Sequence, residues 1–461
     1  MKNKKNVCRW RVLGYALPLI LIVLSQSMQA KDMKDSIFIS AQARDVQTID
    51  VKLKRQISSS RAQKVQITPQ LAIRSLAVVD HRLQLSVEPL DVARTYHVTL
   101  ADDAVVLDVD SLLNDFYSDK ELGCTWDATQ TTFRLFAPRA KNVWLFIFSN
   151  VMDESGAPHR LHRDRDGVWE LSLPGHYFGS HYAYCVDAPP DRQGDVSPDK
   201  LFADPYSRAV ATKNDYLHRG KTLILDTTRY DWQGDAPLGF KTEDLIIYEC
   251  HVRDLTAHPS SGVPSQLAGS YRGLIQRGQV GGIEHIKSLG VNAVEFLPVH
   301  DFGNIEIPYG EPVGGLVNTW NPYARNHWGY MTSYFFAPES YYAGAGTLTA
   351  NHYSGADGRQ VDDFKDVVKA LHREGVAVIL DVVYNHVAQY DQNAFKNIDT
   401  QYYFHLNADG TLRSNSGCGN DFRTDRPMAR RLIVDSVKYW LQEYHVDGFR
   451  FDLATMIDWQ T

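Results

Sequence analysis

The sequence has few cysteines, and those it has are widely spaced. Five occur in 461 residues, and Cys8 falls in the N-terminal segment. The others, Cys124, Cys185, Cys250 and Cys418, lack the paired spacing of a zinc site or of a dense disulfide framework. We expect buried thiols, with one disulfide bridge as the alternative if the compartment is oxidising.

An excess of basic residues is also missing. Lysine and arginine number 48 against 55 acidic residues, which gives a net charge of -7 at pH 7. A nucleic-acid partner requires a basic surface, so we expect none. The chain is 44% apolar, which is enough for several domains with real cores and excludes disorder as the main state.

Beyond the first 30 residues, no apolar run is long enough for a membrane helix, and we expect no membrane span. Residues 1–30 themselves have the pattern of an export signal, with basic residues, an apolar run at 12–24 and small residues up to Ala30. That run is too short to cross a bilayer comfortably. We expect cleavage near Ala30 and a soluble, monomeric protein that is secreted or periplasmic.

Two stretches predict β domains. Residues 31–122 contain short runs of alternating apolar residues, broken at Pro89, and predict a small β domain of unreadable function. Residues 123–240 contain alternating apolar and aromatic residues at 131–148 and 167–175, and this pattern predicts a β-sandwich.

From residue 241 to residue 461 the pattern becomes strand followed by helix. We predict strands at residues 245–252, 291–299, 376–386 and 446–454. Apolar residues at helical spacing lie between them, with stops at Gly290 and Gly375 and a start at Pro427. Such alternation implies parallel strands whose carboxyl ends gather the active groups.

The last of these strands contains a candidate catalytic pair. Because side chains alternate along a strand, Phe449 and Phe451 face one way, and Arg450 and Asp452 face the other. A carboxylate beside a guanidinium suits a nucleophile and its electrostatic partner. A structural ion pair is the alternative, but the polar residues ending the neighbouring predicted strand favour a site.

Two motifs carry a family resemblance. DVVYNH at 381–386 and GFRFD at 448–452 strongly resemble the first two signature regions of glycoside hydrolase family 13, the α-amylase superfamily. Residues 247–256, 269–274 and 416–440 resemble its debranching branch, the type I pullulanases and isoamylase-like enzymes. The resemblance implies that the strand–helix region is the first half of a (β/α)8 TIM barrel, strands one to four.

The β-sandwich segment carries a second resemblance. Residues 124–211, which end in the motif ADPYSRA, resemble carbohydrate-binding module family 48. The resemblance implies an α-glucan partner. Its aromatic residues, Trp144 and Trp169 among them, would then either stack on sugar rings or fill the core.

The family resemblance implies a role for each candidate site residue. Asp452 would be the nucleophile that forms a covalent glycosyl intermediate, and Arg450 would orient it and keep it anionic. His386 would donate to the bound sugar, and Asp381 would tie the strand ends together as a structural acid. Tyr330 would stack beneath the sugar at the cleavage point, with simple packing as the alternative.

The implied activity is hydrolysis of α-1,6-glucosidic branch linkages in pullulan, starch or glycogen, with retention. The family's general acid follows strand five and would lie beyond Thr461, so we expect an inactive fragment. The alternatives are a non-catalytic α-glucan-binding protein and a branching transferase of the same superfamily. We expect no required cofactor and assign no metal ligand; a calcium ion near Asn385 is an open alternative.

Overall fold

The computed structural model describes residues 36–187, 200–215, 217–304, 326–343, 352–388, 393–407 and 409–461. The predicted export signal at residues 1–30 lies outside these ranges. The chain divides into two compact units, Met1–Phe116 and Tyr117–Thr461. Within the described ranges, no helix combines the length and the apolar character that crossing a membrane requires.

The first unit is built on one seven-stranded sheet. Its strands are β1 (Phe38–Asp45), β2 (Thr48–Leu53), β3 (Gln66–Thr68), β4 (Ile73–Val79), β5 (Arg82–Val87), β6 (His97–Leu100) and β7 (Asp103–Asp108). Their order is β3-β6-β7-β1-β2-β5-β4, and neighbours are antiparallel except for the parallel pair β1 and β7. A short helix, α1 (Ser59–Ala62), is capped by the Ser58 side chain.

The second unit combines β-sheets with five helices in its described residues. Its strands are β8 (Gly123–Trp126), β9 (Gln130–Phe136), β10 (Asn142–Phe148), β11 (Ala157–Arg160), β12 (His162–Arg163), β13 (Val168–Pro174), β14 (His181–Asp187), β15 (Val210–Lys213), β16 (Gly220–Leu223), β17 (Ile247–Cys250), β18 (Ala293–Phe296), β19 (His300–Phe302), β20 (Thr332–Pro338), β21 (Tyr353–Ser354), β22 (Ala377–Val382) and β23 (Gly448–Phe451). The helices are α2 (Tyr271–Leu274), α3 (Ile283–Ser288), α4 (Arg359–Arg373), α5 (Ala394–Tyr403) and α6 (Pro427–Tyr444).

Two antiparallel sheets form the predicted β-sandwich. One has the order β11-β10-β14-β16-β15-β21, and the other β12-β13-β9-β8. Phe133 of β9 and Tyr182 of β14 pack edge to face across the two sheets, with 5.1 Å between their ring centres. Trp169 is 4% exposed and donates to the carbonyl oxygen of Ala137, so it belongs to the core. Trp144 is 38% exposed, so it does not belong to the core.

The predicted strand–helix region forms a four-stranded parallel sheet in the order β17-β18-β22-β23. Gly290 and Gly375, beyond the ends of α3 and α4, adopt φ values of +72° and +70°, which glycine tolerates best. Pro427 is the first residue of α6, as predicted. The four strands and their parallel pairing are confirmed in the described residues, and closure into a barrel stays a prediction.

Strands β19 and β20 form a separate, two-stranded antiparallel sheet. Every residue of β20 is buried. Trp440 of α6 is fully buried and donates to the carbonyl oxygen of Phe335, which ties the helix to β20. This packing holds β20, which begins shortly after Tyr330, in place.

The four cysteines of the second unit are free thiols, two buried and two half-buried. Burial raises the pKa of Cys124 and of Cys250, which keeps both thiols protonated. The interpretation of these cysteines as thiols therefore agrees with the structure.

Candidate functional site

The carboxyl ends of β22 and β23 bring the two predicted motifs together. Asp381 lies beside Arg450 in the parallel register. The rings of Phe449 and Phe451 lie 6.2 Å apart on one face, and Arg450 reaches Asp452 on the other. The alternation predicted for this strand is therefore present.

Arg450 bridges two carboxylates. Its Nη1 donates to Asp381 Oδ1 at 2.9 Å and Oδ2 at 3.1 Å, and to Asp452 Oδ1 at 2.8 Å. The Asp381 side chain is 2% exposed, whereas that of Arg450 is 45% exposed. Burial raises the pKa of Asp381, although hydrogen bonds from Tyr330 and Arg450 act against the shift. Partial burial lowers the pKa of Arg450, but the two carboxylates outweigh it and raise this pKa overall.

Tyr330 and His386 adjoin this pair. Tyr330 Oη donates to Asp381 Oδ2 at 2.6 Å, and burial, followed by this hydrogen bond, raises the pKa of the phenol. His386 Nε2 lies 2.8 Å from the carbonyl oxygen of Tyr330, and burial lowers the pKa of this imidazole. The structure thus gathers all five residues that the sequence singled out for the site: Tyr330, Asp381, His386, Arg450 and Asp452.

The backbone of Asp452 is held from two sides. Its N–H donates to the carbonyl oxygen of Val382 at 2.9 Å, and its own carbonyl oxygen accepts from Asn385 Nδ2 at 2.8 Å. Within the described part of the chain, Asp452 Oδ2 makes no hydrogen bond, while Oδ1 is held by Arg450. The carboxylate therefore has a fixed position and one oxygen available to a reacting atom.

Sequence reasoning missed two acids on the same face of the sheet. Glu249 of β17 and Glu295 of β18 lie opposite each other in register. Burial raises the pKa of Glu295, and the charges of Asp381 and Glu249 add to the shift. A carboxylate inside an apolar strand pattern was the available signal, because the period of two puts Glu295 on the face that carries Asp381.

Asn385 was the one residue proposed for a calcium ion. Its amide oxygen already contacts His386 Nδ1, and its amide nitrogen donates to the carbonyl oxygen of Asp452. The amide therefore serves the site and offers calcium only an oxygen that is already engaged. A calcium ion near Asn385 stays an open alternative.

The known proteins to which this chain is similar agree with the family resemblance of its motifs. Residues 121–207 match the family model for carbohydrate-binding module 48, the isoamylase N-terminal domain. The chain is 34% identical over 313 residues to isoamylase 1 of Arabidopsis thaliana, a match covering 64% of this chain and 37% of that protein. It is 34% identical over 360 residues to a glycogen debranching enzyme of Serratia proteamaculans, covering 73% of this chain and 50% of that one.

Among solved structures, the crystal structure of type I pullulanase from Bacillus subtilis in complex with maltose is similar, with a TM-score of 0.67 and 28% identity. The match covers 93% of this chain and 58% of that one. The chain thus spans about a third to a little over half of the length of the curated relatives it matches. These comparisons confirm both family resemblances that the sequence motifs indicated. The chain carries a carbohydrate-binding module 48, and it is related to the debranching-type enzymes of glycoside hydrolase family 13.

Proposed function

We propose that this protein takes part in the cleavage of α-1,6-glucosidic bonds in α-glucans, with Asp452 as the nucleophile of a retaining mechanism. The observation that carries the proposal is the state of the Asp452 carboxylate. Oδ1 is held 2.8 Å from Arg450 Nη1, and Oδ2 lacks a hydrogen-bond partner among the described residues. A carboxylate in a fixed position with one open oxygen is what attack at an anomeric carbon requires.

The neighbours of Asp452 have supporting roles in this proposal. Arg450 orients the nucleophile through its hydrogen bond to Asp452 Oδ1, and Asp381 holds Arg450 in place from the buried side. Tyr330, fixed through its hydroxyl by Asp381, offers an aromatic face to the sugar. His386 is the proposed donor to the bound sugar, and a sugar oxygen would take the place that the Tyr330 carbonyl oxygen holds at His386 Nε2.

The general acid is not supplied by the acids beside Asp452. Asp381 is 2% exposed and has both oxygens engaged by Arg450 and Tyr330, so it cannot reach a leaving oxygen. Glu295 lies in register with Ile379, two residues before Asp381 and farther from the strand end that carries Asp452. Neither of these two acids is therefore placed to protonate a leaving oxygen at Asp452.

We further propose a barrel fold, a glucan-binding module and export for this protein. The four-stranded parallel sheet is the first half of a (β/α)8 barrel, and the β-sandwich binds α-glucan through its family 48 module. The protein is exported, monomeric and independent of any required cofactor. The names of its relatives, which are isoamylases, pullulanases and glycogen debranching enzymes, support the substrate class.

An activated substrate tests the nucleophile without the general acid. Fluoride leaves without protonation, so incubation of the chain with α-maltotriosyl fluoride should form a bond between Asp452 Oδ2 and C1 while the C1–F bond breaks and fluoride departs with its electron pair. Because neither Asp381 nor Glu295 is placed to activate water for the second step, the glycosyl-enzyme should accumulate. Intact-mass spectrometry should then show one added maltotriosyl group for each chain.

Two variants make this trapping experiment decisive. Asp452→Asn should show no added mass, because an amide does not attack. Asp458→Asn is the matched control, since Asp458 pairs with Arg430 outside the site, and it should be labelled like the parent. An unlabelled parent that still binds maltohexaose would favour the non-catalytic glucan-binding alternative, and equal labelling of Asp452→Asn would remove Asp452 from the role.

A further inference from the structure

A second polar cluster lies next to the site, where β17 ends. His251 follows β17 directly, Asp254 lies in the turn after it, and His327 belongs to the segment that leads to Tyr330. One potential ligand atom from each of the three lies within 4.8 Å of the others. We propose that His251, Asp254 and His327 form a binding site for a divalent transition-metal ion of the zinc class.

The separations between the ligand atoms suit such an ion. His327 Nε2 lies 3.0 Å from Asp254 Oδ1, and His251 Nδ1 lies 3.5 Å from Asp254 Oδ2. Ligands about 2.1 Å from a tetrahedral zinc ion are themselves about 3.4 Å apart. The cluster therefore has nearly the spacing of a zinc ligand set, and small side-chain rotations would complete it.

The orientation of His251 favours coordination through Nδ1. Its Nε2 lies 2.8 Å from the carbonyl oxygen of His327 and 2.9 Å from Tyr342 Oη, so the ring proton belongs on Nε2. Metal-binding histidines commonly donate their second ring N–H to a carbonyl oxygen in this way. Nδ1 then presents its lone pair to Asp254, where it accepts a 3.2 Å hydrogen bond from the Asp254 N–H that an ion would replace.

The ligand types select among metals. Two imidazoles and one carboxylate suit zinc, nickel or copper, whereas calcium prefers oxygen ligands alone. His251 is buried, but the side chains of Asp254 and His327 are 59% and 49% exposed, so an ion can enter and keep water in its remaining positions. Bound metal would fasten the segment carrying His327, and with it Tyr330, to the end of β17.

Metal binding can be measured without any glucan or turnover. The untagged chain, stripped with EDTA, should bind one Zn²⁺ in isothermal titration calorimetry, and Co²⁺ should give a visible d–d absorption that Zn²⁺ abolishes and Ca²⁺ does not. His327→Gln and Asp254→Asn, both at exposed positions, should each weaken Zn²⁺ binding by at least about tenfold.

The control is His162→Gln, which removes an exposed histidine from β12 and should bind Zn²⁺ like the parent. Melting curves in EDTA should show that both test variants remain folded. Parent-like Zn²⁺ affinity in His327→Gln and Asp254→Asn, or a parent chain without saturable Zn²⁺ binding, would overturn the proposal and leave an ordinary histidine–aspartate ion pair.

Discussion

Near both ends of strands β22 and β23 a basic side chain lies between two carboxylates, but one end is open and the other is closed. At the carboxyl end, Arg450 joins Asp381 to Asp452, and the Arg450 side chain is 45% exposed. At the amino end, His372 joins Asp235 to Asp447, and these side chains are between 2% and 7% exposed. The same pairing of charges therefore occurs in two very different environments.

The amino-end cluster has every charged atom engaged. His372 Nδ1 lies 3.0 Å from Asp235 Oδ2, and His372 Nε2 lies 2.9 Å from Asp447 Oδ2. Asp447 Oδ2 also accepts from the Val378 N–H at 2.7 Å, and Asp447 Oδ1 accepts from the Leu238 N–H. A fully satisfied, buried network of this kind holds the fold together and has no atom to offer a substrate.

The carboxyl-end cluster differs in the open oxygen of Asp452. In parallel α/β sheets the carboxyl ends of strands carry chemistry, and the amino ends carry stability. An ion pair is therefore better interpreted as functional when its carboxylate is held in place but one carboxylate oxygen has no hydrogen-bond partner.

The largest expected effect on stability is at the amino end. Asp447→Asn should lower the free energy of unfolding by about 2 to 4 kcal/mol. The substitution removes the buried carboxylate that pairs with His372, and it places an amide N–H against backbone donors such as the Val378 N–H. Urea denaturation followed by circular dichroism measures this loss. Asp458→Asn, at a partly exposed pair, should change the free energy by less than about 1 kcal/mol. A loss no larger than that of the control would mean that the closed cluster does not stabilise the fold.

A smaller effect is expected for the Tyr330 ring. Tyr330→Ala should weaken maltohexaose binding by about 1 kcal/mol through lost stacking. Tyr330→Phe keeps the ring and removes only the hydrogen bond to Asp381, so it should bind nearly as the parent does. Calorimetric titration separates the two variants, and a melting curve reports whether either has unfolded. Equal weakening in both would assign the role to the hydroxyl group instead of the ring.

The smallest effect concerns pH. Burial alone would lower the pKa of His372, but Asp447 and Asp235 outweigh it and raise this pKa above its ordinary value. A raised histidine pKa stabilises the fold fully below the unfolded-state pKa of about 6.5, and this contribution is lost as pH rises through the folded-state pKa. Urea titrations from about pH 6 to about pH 9 should therefore show a gap between the parent and His372→Gln that narrows with rising pH. A gap that does not change with pH would show that folding leaves the pKa of His372 unshifted, and a gap that widens with pH would show that folding lowers it.

Much of the site could be predicted because it depends on strand periodicity and strand direction. Once residues 376–386 and 446–454 are parallel neighbours, Asp381, His386, Arg450 and Asp452 must meet at one edge of the sheet. Tyr330 was predicted from a motif, and the structure brings its hydroxyl to Asp381.

Other contacts could not be predicted, because they join segments far apart in the sequence. Asp235 and His372 are 137 residues apart, and no periodicity connects them. The cluster of His251, Asp254 and His327 likewise depends on how residues 326–330 fold back onto the end of β17. The exposure of Trp144 was also undetermined, since β10 packs one face only and the sequence does not say which residues face outward.

The carboxyl end of β23 should serve the reaction with substrate, and its amino end should serve stability. Comparing Asp452→Asn with Asp447→Asn tests this separation of roles directly. Each variant would be incubated with α-maltotriosyl fluoride, weighed by mass spectrometry and unfolded in urea. We predict that Asp452→Asn is unlabelled but nearly as stable as the parent, and that the folded fraction of Asp447→Asn is labelled like the parent but is less stable. Labelling of Asp452→Asn at the parent level, or a loss of stability in Asp452→Asn equal to that in Asp447→Asn, would contradict the account.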